Sequence, residues 1–139
     1  MKPQVPGEEI PVLRKEAVGK LQLLRYAGAS GDDNLIHTDV ETARAVGLPN
    51  VIAHGMLSMG FLGQLLTDWA GAGAVRRIAV RFSRMVHLGD RLTCRGVVQE
   101  TLAQDGGWLV RLLVYAENEA GERVTEGDAE VFLAGSDRA

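Results

Sequence analysis

An apolar helical segment followed by a long run of alternating residues most limits what this chain can fold into. Between His54 and Trp69 the apolar residues leave no broad polar face: they are Met56, Leu57, Met59, Phe61, Leu62, Leu65 and Leu66. A helix that is apolar nearly all round has to be enclosed by other parts of the protein. Gly60 and Gly63 each destabilise a helix interior by about 1 kcal/mol relative to Ala. Their presence predicts that another backbone approaches this helix closely.

The chain after Gly73 alternates between apolar and polar residues, a period typical of strands that bury one face. Strands are expected at 78–82, 92–98, 108–114 and 123–133. Turn-forming sequences separate them at Leu88–Asp90, Asp105–Gly107 and Asn118–Gly121, which predicts an antiparallel meander. One face of such a sheet needs a cover. We therefore predict an α+β fold in which an antiparallel sheet curls around the central helix.

The first third of the chain is expected to be mostly helical. Glu9–Leu13 reads as a short edge strand, and Lys15–Ala29 carries apolar residues at helical spacing that Gly28 and Gly31 bring to an end. Thr38 precedes Glu41 by three residues, so a capping box is predicted to start a short helix over Asp39–Val46, which Gly47 ends. The polar loop from Ser30 to His37 lies between these two helices.

Composition sets further bounds on class and location. The 139 residues suit one compact domain, residues 1–139, with a tail at 135–139 that is expected to fray. A net charge of −3 argues against nucleic-acid binding. No apolar run reaches the roughly 20 residues that span a bilayer, and the early residues do not form a secretory signal. A lone cysteine, Cys94, fits a reducing compartment, so a cytoplasmic location is expected.

Searches for metal and nucleotide motifs find nothing that fits. The three histidines, His37, His54 and His87, lie too far apart to form a local ligand pair, and one cysteine cannot build a zinc cluster. Gly71-Ala-Gly73 resembles the start of a dinucleotide loop, but Arg76 stands where the third glycine is needed. We therefore expect neither a metal nor another cofactor.

Two short segments carry the residues best suited to chemistry. Asp32 and His37 lie five apart in the loop between the predicted helices, so a carboxylate and an imidazole can face one small space. Gly55 opens the central helix, whose free N–H groups and partial positive charge suit an oxygen that becomes anionic during a reaction. Acid, base and oxyanion site can thus converge.

These two segments together resemble a known signature. Tyr26-Ala-Gly-Ala-Ser-Gly-Asp-Asp-Asn-Leu-Ile-His37, with Ala53-His-Gly-Met-Leu57, is similar to the hydratase-2 signature of the MaoC-like, hot-dog-fold dehydratases, and in particular to mycobacterial-type (3R)-hydroxyacyl-ACP dehydratase catalytic subunits. The resemblance extends from Ile10 to Leu133. It departs from the family at Leu35, where a proline is usual. Many relatives also have a supporting hydroxyl in the central helix, for which Ser58 and Thr67 are the candidates here.

The resemblance implies reversible syn hydration of a trans-2-enoyl thioester to the (3R)-3-hydroxyacyl thioester, in fatty-acid metabolism. Asp32 and His37 would hold the water and exchange protons with it, in roles that the sequence leaves open. The Gly55 N–H would stabilise the enolate-like oxygen, and Asn34 would shape the loop. Met56 is a further candidate for substrate binding, with Ser58 and His54 as weaker ones; we expect His54 to order the start of the helix. The implied substrates are acyl-CoA or acyl carrier protein thioesters.

Two other functions stay open at this stage. One is a noncatalytic hot-dog subunit that stabilises a partner, although such a subunit has no chemical need for both Asp32 and His37. The other is a hot-dog thioesterase, which often carries its carboxylate on the central helix, where Asp68 is the candidate. A single hot-dog unit leaves sheet edges to be completed, so a dimer is expected, either of identical chains or with a related subunit. A cluster of arginines between Arg76 and Arg95 is a candidate contact for substrate phosphates or an acidic carrier.

Overall fold

The structure is a computed structural model, and it describes residues 4–135. The elements follow in the order β1 (Leu13–Arg14), α1 (Lys20–Ser30), α2 (Val40–Ala45), α3 (Gly55–Ala70), β2 (Val75–Phe82), β3 (Thr93–Gln104), β4 (Gly107–Glu117) and β5 (Arg123–Ala134). Short 3-10 helices at Leu35–His37 and Ala72–Ala74 precede α2 and β2.

The five strands form one antiparallel sheet in the order β1-β3-β4-β5-β2, and α3 packs against its inner face. The residues that face each other across this interface are almost fully buried and share one core; examples are Val110, Leu112 and Val114 of β4 and Leu62, Leu65 and Leu66 of α3. The predicted α+β arrangement, a sheet wrapped around a central helix, is confirmed.

The strand order corrects the prediction of a four-strand meander. β3, β4 and β5 do pair consecutively, but β2 lies beside β5, at the far side of the sheet from β3. The turn at Leu88–Asp90 is therefore not a hairpin. It contacts the N-terminal part of the chain instead, where Gly89 N–H donates to the Val18 carbonyl (2.8 Å) and Val18 N–H donates to the Asp90 carbonyl (2.9 Å). Alternation identifies strands but not their neighbours, because long-range contacts decide the pairing.

The two edges of the sheet differ. The N-terminal segment covers the β3 edge through three backbone hydrogen bonds: Gly7 to Val98 (2.8 Å), Val98 to Glu8 (2.8 Å) and Ile10 to Gly96 (3.0 Å). The predicted strand at Glu9–Leu13 was wrong in extent, because only Leu13–Arg14 forms a strand, with a single bridge from Glu9 to Val97. Pro11 lacks an N–H and interrupts the pairing. The opposite edge, β2, has no neighbouring strand within residues 4–135.

Both predicted N-terminal helices exist with different boundaries. α1 begins at Lys20 and not at Lys15, because residues 15–19 run extended and bond to the segment before β3. It ends at Gly31, whose φ of 77° is the left-handed conformation that favours glycine. The capping box at Thr38 was wrong: Asp39 is the N-cap of α2, and its carboxylate accepts the Thr42 N–H at 3.1 Å.

The central helix is less enclosed than its composition predicted. Its inner side is buried, but Met56 is 53% exposed and Gly60 is exposed. A Cβ added at Gly60 or Gly63 would meet no heavy atom within 4 Å. The expected close approach of another backbone was therefore wrong for the chain as described, and α3 has one open side.

Two smaller expectations can be compared with the structure. Cys94 is fully buried, and burial raises the pKa of its thiol to about 12, so it serves as a small core residue. Within residues 4–135, every helix is too short or too polar to cross a membrane. The predicted frayed tail at 135–139 lies almost entirely outside the described residues.

Candidate active site

The loop after α1 is shaped by its own polar side chains. The Asp32 N–H donates to Ser30 Oγ (3.1 Å), the Asn34 N–H donates to Asp32 Oδ1 (3.3 Å), and the Ile36 N–H donates to Asn34 Oδ1 (3.2 Å). Such bonds from a side chain to the backbone two residues on are how Asp and Asn form tight turns. Asn34 thus shapes the loop, as expected. Because Oδ1 of Asp32 is held by the backbone, Oδ2 is free to face His37.

His37 is 7% exposed and is fixed from behind by residue 52. Its Nδ1 donates to the Ile52 carbonyl at 2.7 Å, and the Ile52 N–H donates to the Ile36 carbonyl at 3.2 Å. A carbonyl only accepts hydrogen bonds, so Nδ1 carries the ring hydrogen. In the neutral form of the ring, the lone pair is therefore on Nε2, on the side opposite Ile52.

Asp32 and His37 meet as the sequence predicted. Nε2 of His37 lies 3.8 Å from Oδ2 of Asp32, longer than a direct hydrogen bond. The two side chains differ in access to solvent, since that of His37 is 9% exposed and that of Asp32 is 51% exposed. The imidazole forms the inner part of the pair and the carboxylate forms its rim.

A cleft of about 300 Å³ lies between His37 and the start of the central helix. His37 and Gly55 both line it, and its remaining wall includes Ile52, Ala53, Phe82, Met85 and Val86. The Gly55 N–H has no acceptor among residues 4–135, because the first N–H groups of a helix have no partner within it. The cleft therefore combines an imidazole base, an unpaired backbone donor and an apolar wall.

A pair of hydroxyls lies at the back of the cleft. Ser58 Oγ donates to the Gly55 carbonyl (2.8 Å) and is 2.6 Å from Thr125 Oγ1 on β5. Both residues line the cleft and are almost fully buried. Of the two helix hydroxyls proposed from sequence, only Ser58 is here, because Thr67 bonds to Gln64 one turn from the helix end. Neither Thr125 nor Phe82 was predicted as a site residue. The alternation of residues along a strand does not distinguish one that lines a cleft from the others.

The two remaining candidates occupy opposite environments. Met56 is not among the residues that line the cleft and is about half exposed, so the structure does not place it with His37. His54 is 1% exposed, and its Nε2 donates to the Asp32 carbonyl at 3.1 Å. Its ring stacks on that of His37, with centroids 3.9 Å apart and planes 24° from parallel. His54 is thus the N-cap residue of α3 without capping it through its side chain.

Asp32, His37 and His54 place potential metal ligands within 4.8 Å of one another. The stacked rings keep their nitrogen lone pairs in nearly parallel planes, whereas ligands of a tetrahedral metal must converge on one point. One nitrogen of each ring is also bonded to a backbone carbonyl. This arrangement does not suit a bound metal ion.

The arginines that the sequence analysis grouped are mostly paired with carboxylates. The pairs are Arg77 with Asp128, Arg84 with Glu122, Arg91 with Glu16, and Arg95 with Glu117. Arg84 also lines the cleft, and its distance to Glu122 is 2.9 Å. The local positive charge is therefore largely offset, and Arg84 is the member of the group best placed to meet a substrate.

Comparisons with known proteins identify the family and agree with this fold. Residues 2–113 match the family model described as MaoC like domain. A UPF0336 protein of Streptomyces coelicolor is 29% identical over 134 residues, which cover 85% of this chain and 85% of that protein. The (R)-specific enoyl-CoA hydratase of Rhodospirillum rubrum is 29% identical over 120 residues, covering 85% of this chain and 81% of that protein.

Solved structures give the same result. An (R)-hydratase from A. caviae involved in PHA biosynthesis superposes with a TM-score of 0.83 and 26% identity, covering 94% of this chain and 97% of that one. The Asp32–His37 loop and the start of α3 both lie inside the range of the family match. The chain therefore belongs to the MaoC-like domain family and has its hot-dog fold.

Proposed function

We propose that this chain is a hydro-lyase that adds water reversibly to a trans-2-enoyl thioester and forms the (3R)-3-hydroxyacyl thioester. The observation that carries the proposal is the Asp32–His37 pair, with Nε2 and Oδ2 3.8 Å apart, beside a cleft that also holds the Gly55 N–H. The enoyl-CoA hydratase of Rhodospirillum rubrum, to which the chain is similar over most of both lengths, supports the same reaction class.

The tautomer of His37 supports a definite division of roles. Oδ2 of Asp32 holds a water by accepting one of its hydrogens, and the lone pair on Nε2 of His37 removes the other as oxygen attacks C3. The C2–C3 π electrons move to the thioester oxygen, and the proton on Nε2 then passes to C2. The product gains OH at C3 and H at C2 on one face, and His37 returns to its neutral form. This assignment uses the bond from Nδ1 to Ile52, which makes Nε2 the nitrogen that carries the lone pair in the neutral ring.

Gly55 supplies the site for the oxygen that becomes negative. Its N–H opens α3 and has no acceptor within residues 4–135, and the helix end adds partial positive charge. The Ser58 hydroxyl bonds to the Gly55 carbonyl and so holds the peptide unit that follows the donor. In this scheme the residues stabilise the enolate without any metal.

The test is loss of enoyl absorbance with acyl-CoA and acyl carrier protein substrates of short, medium and long chain. We expect Asp32→Asn and His37→Ala each to lower kcat by about 10²–10⁴-fold, as removal of an acid–base group does, with unchanged far-UV circular dichroism. His87→Gln, a change at an exposed histidine, is the matched control. Full turnover in a folded Asp32→Asn protein would contradict the proposal.

The alternatives make different predictions in the same assay. A thioesterase releases free thiol, and Asp68, the candidate carboxylate on α3, is exposed and lies near the helix end opposite Gly55. A noncatalytic subunit gives no turnover by itself, yet this chain carries both members of the pair. Thiol release without hydration would favour the first alternative, and activity that appears only on adding a related subunit would favour the second.

We further propose that the working unit is a dimer of this chain, with the second subunit completing the acyl-binding wall. Met56, Phe82 and Met85 are 53%, 48% and 55% exposed, although Phe82 and Met85 line the cleft. The β2 edge beside them has no strand partner within residues 4–135. Apolar exposure of this kind marks a contact surface, and a heterodimer with a related subunit is the alternative.

We also propose a cytoplasmic location, because a reducing compartment suits the free thiol of Cys94.

A further inference from the structure

His54 is a buried polar side chain beside the catalytic pair to which the proposed reaction gives no task. It is 1% exposed, and its Nδ1 has no hydrogen-bond partner within residues 4–135. Leaving a buried acceptor unpaired costs about 1–3 kcal/mol. An N-cap residue with a serine or aspartate side chain would bond the first turn of α3, which His54 does not do. The side chain is therefore arranged for something other than starting the helix.

The contacts of His54 all lead to the catalytic pair. Its Nε2 donates to the backbone carbonyl of Asp32 at 3.1 Å, which fixes the loop at the residue that carries the carboxylate. Its ring lies on the face of the His37 ring, 3.9 Å between centroids. Tyr26 covers another side at 4.7 Å. One side chain thus touches both Asp32 and His37.

These contacts restrain motions that the other bonds leave free. The bond from His37 Nδ1 to Ile52 fixes one atom of the ring but lets the plane rock about it. Stacking on His54 holds that plane, and therefore the direction of the Nε2 lone pair. The hydrogen bond from His54 to the Asp32 carbonyl fixes the backbone of Asp32, whose Oδ2 lies 3.8 Å from Nε2 of His37. An error of about 1 Å in such a pair can reduce the rate about 100-fold.

The charge state of His54 agrees with this task. Because a carbonyl accepts its Nε2–H, the neutral ring leaves Nδ1 as the unpaired atom. Burial lowers the pKa of His54, and the neighbouring His37 lowers it further, while the bond to Asp32 opposes both. A neutral ring stacked on His37 adds no positive charge beside the base.

We propose that His54 is a positioning residue for the proposed hydration, one that sets the separation and ring orientation of Asp32 and His37 through a hydrogen bond and a stacked contact. It touches no reacting atom. The inference rests on the proposed function for its kinetic consequences, and on the geometry alone for its effect on the His37 ring.

Two variants separate the two contacts. His54→Gln keeps an N–H donor for the Asp32 carbonyl but loses the ring face, whereas His54→Phe keeps a ring face but loses the donor. We expect each to lower kcat by about 10-fold to 100-fold with KM within about twofold, since the pair is misplaced and substrate contacts remain. His87→Gln is the control and should match the wild type.

Nitrogen-15 NMR of the histidine rings gives a second measurement that needs no substrate. In the wild type we expect the Nδ1–H tautomer for His37 and the Nε2–H tautomer for His54. The bond to Ile52 should keep the His37 tautomer in both variants, whereas the ring-carbon protons of His37 should shift downfield in His54→Gln, which removes the stacked ring. Wild-type kcat in both folded variants, or His37 ring-proton shifts in His54→Gln equal to those of the wild type, would overturn the inference. So would an Nδ1–H tautomer for His54 in the wild type, a result that requires no variant to fold. A wild type that hydrates no thioester would defeat the proposed function, while the NMR result would still decide the inference.

Discussion

The two walls of the cleft are built in opposite ways. The polar wall, formed by His37 with Asp32 and His54 adjoining it, is held by hydrogen bonds within the 32–37 loop and between that loop and residues 52–54. His37 and His54 are buried, and the Asp32 side chain is 51% exposed. The apolar wall, formed by Phe82 at the end of β2 and Met85 after it, is about half exposed. One chain therefore suffices for acid–base geometry, whereas enclosing an acyl chain needs surface that these residues do not supply.

We expect the largest effect from a charge placed on the apolar wall. Met85→Asp puts a carboxylate on a side chain that is 55% exposed and lines the cleft. If a second subunit covers this wall, burying that charge is unfavourable by several kcal/mol, and we expect the dimer to dissociate and kcat/KM to fall by about 10-fold or more. Light scattering after size exclusion reports the mass.

The matched control for Met85→Asp is Leu21→Asp on α1. Leu21 is 58% exposed, a fraction close to that of Met85, and it is not among the residues that line the cleft. We expect the dimer and the activity to persist. Dissociation by both changes would show that any exposed charge has this effect, and a fully active monomeric Met85→Asp protein would show that the apolar wall is complete within one chain.

A smaller change tests where the two walls meet. The Cβ of Gly55→Ala would lie 3.3 Å from the Phe82 ring, tighter than ordinary contact. The ring has to move by a few tenths of an ångström, and the donor beside it moves too. We expect kcat/KM to fall about 3-fold to 10-fold, and to recover in the Gly55→Ala, Phe82→Ala double variant relative to Phe82→Ala alone. Strictly additive losses would mean that the two residues act separately.

The hydroxyl pair behind the cleft should affect stability more than rate. Thr125→Val keeps the shape of the side chain but removes the 2.6 Å bond to Ser58, which retains its bond to the Gly55 carbonyl. We expect the free energy of unfolding to fall by about 1 kcal/mol, measured by urea denaturation. Ser58→Ala provides the comparison. An unchanged denaturation midpoint for Thr125→Val would show that the hydrogen bond between the two hydroxyls does not contribute to stability.

The smallest expected effect is a pH dependence of stability that belongs to the polar wall. The pKa of folded His54 lies below its ordinary value of 6.5, chiefly because of burial, in a surrounding of Asp32, His37 and Tyr26. The unfolded chain then binds more protons just below pH 6.5, so the free energy of unfolding decreases as pH falls through that value. His54→Gln should show a shallower decrease than the wild type in urea titrations at several pH values. Equal slopes would contradict the shift.

Much of the polar wall could be predicted because its geometry is local. Asp32, Asn34 and His37 lie within one loop whose turns their own side chains form, so residue type and spacing carry the information. The helix that begins at Gly55 was predictable from its apolar residues. The resemblance to a known signature linked the two segments, which local spacing alone does not place side by side.

Other features required the folded chain. The position of β2 beside β5, the meeting of Ser58 with Thr125, and the contact of Phe82 with Gly55 join residues far apart in sequence. The alternation of apolar and polar residues indicates which face of a strand is buried, but it does not indicate which strands pair with each other. The capping error at Thr38 has a related cause, because two adjacent residues could both start α2 and the actual fold of the loop selected Asp39.

The classes of structure and the chemical groups follow from the sequence alone: a buried helix, an antiparallel sheet, and a carboxylate, an imidazole and a helix N-terminus able to act together. How these groups face one another follows from the packed fold, including the nitrogen of His37 that bonds to Ile52 and the contacts of His54 with both Asp32 and His37. The cause is the distance along the chain over which each contact acts. Turns and helices form from contacts a few residues apart, whereas the orientation of two rings at 3.9 Å depends on every element that packs around them.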